Sequence, residues 1–288
     1  SMIKQLPALY RSKLIDHRSA EKWVKKHRVS LIISDNRIGF FSKKCRSIYL
    51  SHQLRIAASP SLVWGEAIVS KVHQFLARHF DEVWVPDFSE EPSLAGKLSR
   101  GWKRRSVRYI GLLSRFSPPP KPVEEKGILV VLSGPEPQRT LLEEELANQL
   151  IRAGYPATIV RGLPLGASQP MIDSSLLHWI NFLPTDELEV ELNHCELLIS
   201  RSGYSTLMDL TVLSKRALLI PTTGQTEQEH LAARLGKMGC CFWTKQEELN
   251  LEEQIPLALQ SFTLSNLFSP TLSQHLLEQA ITAVTPNE

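Results

Sequence analysis

An α/β fold, made of two doubly wound Rossmann-like domains with parallel sheets, is predicted by three observations. Downstream of residue 126, short apolar runs alternate with amphipathic segments of helical period. Two strand-to-helix junctions stand back to back at residues 199–211 and 217–232, each opening in small and polar residues. Upstream of residue 114 the same rhythm recurs with fewer elements.

The elements follow in order. Helical spacing is expected near residues 18–27 and 62–80, with strands at 31–35, 47–51, 82–86 and 108–111. The chain begins with helix-like sequence where a doubly wound domain would begin with a strand and a phosphate-type loop. The first domain is therefore expected to be incomplete, its opening strands absent. Ser114-Arg-Phe-Ser-Pro-Pro-Pro-Lys-Pro-Val-Glu-Glu-Lys126 is Pro-rich and charged and reads as a stiff connection. Beyond it come strands at 127–132, 157–160, 179–182, 197–200, 217–220 and 241–244, and helices at 138–153, 186–194 and 246–259. These assignments divide the chain into a partial first domain (1–117), a linker (118–126), a second domain (127–268) and a last stretch (269–288) whose helix, near 272–284, is expected to pack back on the first domain.

With 288 residues and 42% hydrophobic content, the chain has room for two ordinary domains. Its net charge of +3 conceals a split: residues 1–126 hold 24 Lys and Arg against 11 Asp and Glu, and the remainder hold 9 against 19, giving balances of +13 and −10. A basic half suits an anionic partner, whether a membrane surface, an acidic substrate or nucleic acid, and equally a solvated surface balanced by an acidic domain. The run Trp102-Lys-Arg-Arg-Ser-Val-Arg108 has no nucleic-acid module around it, so no nucleic acid is expected as a partner. Cys45, Cys195, Cys240 and Cys241 lack metal-site spacing and fit reduced cytoplasmic thiols. No apolar run reaches the roughly 18 residues that a membrane span needs.

The two junctions carry the chemistry. Small residues where a strand gives way to a helix let a ligand approach backbone N–H groups at a helix N-terminus, which favours anions. Two such turns on one sheet edge suggest a phosphate-bearing ligand. A helix cap with a close-packed glycine is the competing account of the first turn, and a capping box of Thr226 with Glu229 that of the second.

Ser200-Arg-Ser-Gly-Tyr-Ser-Thr-Leu-Met-Asp209 with Pro221-Thr-Thr-Gly-Gln-Thr-Glu-Gln-Glu-His-Leu231 resembles the donor-binding region of GT-B glycosyltransferases of the MurG-like group, whose C-terminal domain defines glycosyltransferase family 28. Ile33-Ser-Asp-Asn-Arg37, His52-Gln-Leu54 and Trp84-Val-Pro-Asp87 extend the likeness to predicted bacterial glycosyltransferases and to nearly the whole chain. The resemblance implies that Asp209 holds the ribose hydroxyls, as a carboxylate able to accept from a vicinal diol. Ser202, Gly203, Ser205 and Thr206 would meet the diphosphate at a helix N-terminus, with Arg201 beside them among the donor-binding residues. Gly224, Gln225, Thr226, Glu227 and Gln228 match the segment that would read the sugar hydroxyls, and Thr223 before them is also expected to be donor-binding. Gly134, in Ser133-Gly-Pro-Glu-Pro-Gln-Arg-Thr140, stands in the position of the family's Gly-rich loop, from which Arg139 would offer charge to the leaving group.

In the first domain, Asp35, Asn36, Arg37 and Gln53 are expected on the acceptor side, facing an interdomain cleft. His52, with Asp35 as a second candidate, would be the base that deprotonates an acceptor hydroxyl, although a lone His after a strand is more often structural. The expected reaction is transfer of a sugar such as N-acetylglucosamine from a UDP-sugar, without cofactor or metal, to an anionic or membrane-associated acceptor, in the cytoplasm or at the inner face of the membrane. A nucleotide-sugar-binding module without turnover, or a UDP-sugar epimerase or hydrolase on the same fold, are the alternatives.

Overall fold

The computed structural model describes residues 2–55, 63–102, 106–119, 121–168, 170, 172 and 174–285, with side chains from residue 11 onward and, in the second helix, from residue 69. Two compact units divide it, one of residues 1–112 with 271–288 and the other of residues 113–270. The division falls five residues ahead of the linker expected at 118. The basic residues 103–105 lie outside the described residues.

In the first unit α1 (Met2–His27) is much longer than the helix expected at 18–27 and ends on Lys25, Lys26 and His27, cations suited to a helix C-terminus. It leads to β1 (Leu31–Asp35) and β2 (Arg46–Leu50), then to α2 (Val63–Leu76), β3 (Glu82–Val85) and β4 (Val107–Tyr109). The four strands are parallel and lie side by side in chain order. Tyr49, Phe80, Val83 and Val85 build the core on one face, and Ala20, Val24 and Ile32 that under α1. The Trp-Val-Pro-Asp motif is explained locally, because the buried Asp87 carboxylate accepts the N–H groups of Phe88 (2.8 Å), Leu94 (2.7 Å) and Ala95 (3.0 Å) and so folds the loop after β3.

The second unit runs β5 (Ile128–Val131), α3 (Gln138–Ala153), β6 (Ala157–Val160), β7 (Leu177–Ile180), α4 (Thr185–His194), β8 (Leu197–Ser200), α5 (Tyr204–Leu213), β9 (Arg216–Leu219), α6 (Thr226–Lys237), β10 (Phe242–Trp243) and α7 (Leu251–Leu259). Six parallel strands form its sheet in the order β10-β9-β8-β5-β6-β7. Every residue of β8 is buried, as the central strand of a sheet covered on both faces requires. Leu142, Leu146 and Leu150 recur on one face of α3 and pack with Val130, Ile159 and Ile199 in the main core. Burying each such side chain stabilises the fold by about 1.5–3 kcal/mol.

Two elements depart from expectation. β7 begins two residues early, at Leu177, where it pairs with Ala157 of β6 and leaves Phe182 half exposed. The helix expected over 246–259 breaks into a 3-10 turn (Gln246–Glu248) and α7. Gln149 of α3 holds the break open, its amide donating to Leu249 O at 2.8 Å and accepting Leu251 N–H at 2.8 Å. The last helix, α8 (Pro270–Thr282), runs on into residues that group with the first unit. There Gly111, at φ +72°, lies against the Ser273 backbone so closely that a Cβ would stand 2.4 Å from Ser273 Cα.

Candidate functional site

The strand order of the second sheet reverses between β5 and β8: the chain steps outward through β6 and β7 on one side and through β9 and β10 on the other. Such a reversal leaves a crevice at the carboxyl ends of the two central strands. The turns after β5, β8 and β9 meet at this edge and feed α3, α5 and α6. Pro137, Gly203 and Gln225 are the three N-caps, and none supplies a side-chain hydrogen bond. Three helix N-termini thus point their positive ends toward one edge of three adjacent strands. Gly134 takes φ +114°, which only glycine adopts readily, and a Cβ there would meet nothing nearer than Thr222 Oγ1 at 3.8 Å.

The capping box expected of Thr226 is absent, since α6 starts at Thr226 itself and Gln225 is the cap. Side chains of the first turn reach back instead: Gln228 Oε1 accepts Thr222 N–H at 2.9 Å, and Glu229 Oε1 accepts Gly224 N–H at 3.1 Å. Gln228 also donates to Gln225 at 2.7 Å. These bonds shape the turn while leaving Thr223, Gly224 and Gln225 exposed and Thr226, Glu227 and Gln228 half-buried.

Three of the residues expected in the donor site have side chains committed within the protein. Arg201 is 2% exposed, and its guanidinium donates to the carbonyls of Ile220 (3.2 Å), Pro221 (3.0 Å) and Gln138 (3.1 Å) and to Gln246 Oε1 (3.0 Å). Burial lowers its pKa to about 10, so it is still cationic at neutral pH and serves as a strut under the turns after β8 and β9. Ser202, fully buried, gives its hydroxyl to Gln228 O at 2.9 Å. Arg139 is 5% exposed and pairs with Glu136 at 2.6 Å and Glu143 at 2.5 Å, and Glu143 also binds Arg161 at 2.8 Å. Its charge is spent within α3 rather than offered to a leaving group. Glu136 and Glu143 stand three and four residues from Arg139, within reach at helical spacing, whereas the sharing of Glu143 with Arg161 shows only in the fold. Ser205 remains exposed and Thr206 half-buried at the start of α5.

Asp209 lies in the second turn of α5, its side chain 16% exposed. Ser114 Oγ donates to Asp209 Oδ1 at 2.7 Å, the Arg115 backbone N–H bonds the same carboxylate, and Arg115 Nε stands 3.9 Å from Oδ2. Burial raises the Asp209 pKa, and these partners oppose the shift by favouring the ionised form. Ser114 and Arg115 were read as linker-side residues from their Pro-rich surroundings, and nothing in sequence spacing links them to Asp209. Thr222 was likewise missed: it is 1% exposed, and its hydroxyl has no hydrogen-bond partner.

In the first unit, Asp35 ends β1 and Asn36 and Arg37 follow it, while His52 and Gln53 follow β2. The pairing of Asp35 with Leu50 therefore brings all five to one end of adjacent strands. Asn36 takes φ +52° and donates its backbone N–H to Leu50 O at 3.0 Å. Arg37 pairs with Asp16 of α1, His52 is half-buried, and Gln53 N–H bonds Ser51 Oγ at 3.2 Å. A second histidine passed unnoticed in the sequence: His73 of α2, whose Nε2 meets Tyr49 Oη at 2.9 Å.

A parallel α/β sheet with an anion-favouring switch point, preceded by a second parallel sheet, defines the GT-B class, and the comparisons agree. Residues 169–279 match the glycosyltransferase family 28 C-terminal domain. Over 148 residues the chain is 32% identical to a UDP-N-acetylglucosamine--N-acetylmuramyl-(pentapeptide) pyrophosphoryl-undecaprenol N-acetylglucosamine transferase of Nostoc sp., covering 49% of this chain and 40% of that protein. The chain thus spans less than half the length of the curated relative it matches. Among solved structures, the glycotransferase of kitacinnamycin superposes with TM-score 0.67 at 11% identity, over 99% of this chain and 84% of that one. MurG of Acinetobacter baumannii superposes with TM-score 0.53 at 13% identity, over 94% and 78%. These superpositions show the shared GT-B fold.

Proposed function

We propose that this chain transfers a sugar, with N-acetylglucosamine the first candidate, from a UDP-linked donor to an acceptor hydroxyl. The observation that carries the reading is the convergence of three helix N-termini, none capped by the side chain of its N-cap residue, on the switch point between β5 and β8. A diphosphate leaving group develops negative charge, and N–H groups and helix dipoles fixed in place stabilise it without reorganising. The reaction on this reading needs no metal. Asp209 takes the ribose diol, and Gln225, Glu227 and Gln228 read the sugar. His52 is the base for the acceptor, with Asp35, at the same end of the paired strands β1 and β2, as the second candidate. The basic first half favours an anionic acceptor, and the Nostoc relative's name specifies a pyrophosphoryl-undecaprenol one. Work at the inner face of a membrane follows, and no helix of the described residues is long and apolar enough to cross one.

Calorimetry with UDP, UDP-N-acetylglucosamine, UDP-glucose and GDP-mannose tests the donor site, comparing the chain with Asp209→Ala. UDP ligands should bind at least tenfold more tightly than GDP-mannose, and the substitution should remove most of that affinity. Failure of every nucleotide to bind, or an Asp209→Ala protein with intact UDP affinity, overturns the reading. Donor turnover in the presence of a chelator tests metal independence.

A further inference from the structure

The segment between the two sheets contributes to the second unit in a way that its Pro-rich composition hides. Leu113 N–H bonds Met208 Sδ at 3.3 Å, and Ser117 N–H bonds Glu189 Oε1 of α4 at 2.9 Å. Between them Phe116, 4% exposed, fills the wall of a cavity of ≈ 50 Å³ among Leu188, Leu192, Leu198 and Leu210. A buried aromatic with hydrogen bonds on either side holds residues 113–117 in one place against α4 and α5.

Ser114 sits at the centre of this strap. Its oxygen accepts Phe116 N–H at 3.0 Å, which occupies a lone pair and directs the hydroxyl hydrogen toward Asp209 Oδ1, 2.7 Å away. Arg115 lies over the Phe116 ring at 4.7 Å with its guanidinium near Oδ2. The carboxylate is therefore oriented by its neighbours before any ligand arrives. Two lone pairs on each oxygen leave it able to accept further hydroxyl donors.

We propose that Ser114 is a positioning residue for nucleotide recognition: it fixes the Asp209 carboxylate in the orientation that accepts the vicinal diol of a ribose. This rests on the donor-site reading above. A carboxylate on an unrestrained side chain would lose rotamer freedom on binding, and the strap removes that cost in advance.

The test uses the full chain and its Ser114→Ala, Ser114→Cys and Ser114→Thr variants, titrated with UDP and 2′-deoxyuridine diphosphate, with thermal unfolding as a check of folding. The wild-type chain should prefer UDP. Ser114→Ala and the near-isosteric Ser114→Cys should weaken UDP by about tenfold while changing the deoxy ligand much less, so that the preference shrinks. Ser114→Thr keeps the hydroxyl and should restore it. Unchanged UDP affinity in Ser114→Ala, or equal loss of both ligands in folded Ala and Cys variants, overturns the positioning role and leaves the donor site standing. A wild-type chain that binds no UDP overturns the donor reading, and the role of Ser114 with it.

Discussion

Gln228 Oε1 accepts the backbone N–H of Thr222 at 2.9 Å, so a side chain from the first turn of α6 closes the loop that precedes its own helix. The same carboxamide donates to Gln225 Oε1 at 2.7 Å and keeps one lone pair and one N–H for a ligand. A residue in this position serves the loop and the sugar together. Gln228→Ala should therefore destabilise the chain by about 1–2 kcal/mol and weaken UDP-N-acetylglucosamine about tenfold more than UDP. Calorimetry with the two ligands in parallel separates the roles, because equal losses would mean that Gln228 acts on the loop alone.

The buried cluster of Arg139, Glu143 and Arg161 makes an ordered prediction. Glu143 receives Arg139 on one oxygen and Arg161 on both, at 2.5–3.0 Å, and all three residues are 5% exposed. Glu143→Ala leaves two guanidiniums facing each other without their shared anion, and a buried charge stripped of its partner costs about 3–5 kcal/mol. Arg139→Ala leaves Glu143 paired with Arg161 and should cost less. Urea unfolding of the two variants should give that order, and a larger loss for Arg139→Ala would refute it.

His73 introduces a pH dependence. Burial against Trp102 and Tyr49 lowers its pKa from 6.5 to about 4, and Tyr49, raised to about 12, remains neutral throughout. Below pH 6.5 the unfolded chain takes up a proton that the folded imidazole refuses until about pH 4. Stability is therefore lost as pH falls through this window and is flat with respect to this group above it. The full loss from this group is roughly 3 kcal/mol. Urea midpoints at about pH 7.5, 5.5 and 4.5 should show a steeper acid limb in the wild type than in His73→Gln, and parallel limbs would exclude His73 as the source.

The fold was legible because its signals are local. Buried parallel strands such as Leu197–Ser200 read as apolar runs, and α3 was bounded correctly by helical spacing ending at Gly154 in the left-handed conformation. The turns that build the candidate site were also visible, since glycine and small polar residues mark backbone that a ligand can approach. Which side chains in those turns stay free was not visible. Arg201 has the chemistry of a phosphate ligand, but its acceptors come from residues 19 to 63 positions away, and Glu143, the neighbour of Arg139 on α3, is shared with Arg161 after β6. Ser114 and Asp209 are separated by 95 residues, and only the folded chain joins them.

Gly134 distinguishes a site that needs open backbone from one that merely tolerates glycine. Its φ of +114° lies where a side chain is strained, and an added Cβ would have only Thr222 Oγ1, at 3.8 Å, within reach. Gly134→Ala should thus cost about 1–3 kcal/mol through backbone strain rather than through a clash with protein atoms. The added methyl group would project into the space where the turns after β5 and β9 face each other, so donor binding should suffer beyond the stability loss. Gly154 is the control: it caps α3 at φ +72° with nothing within 4 Å of an added Cβ, away from the crevice between β5 and β8. Gly154→Ala should lower the unfolding midpoint to a similar degree and leave UDP affinity within about twofold. If both variants lose affinity in proportion to stability, the loop at Gly134 lies outside the donor site.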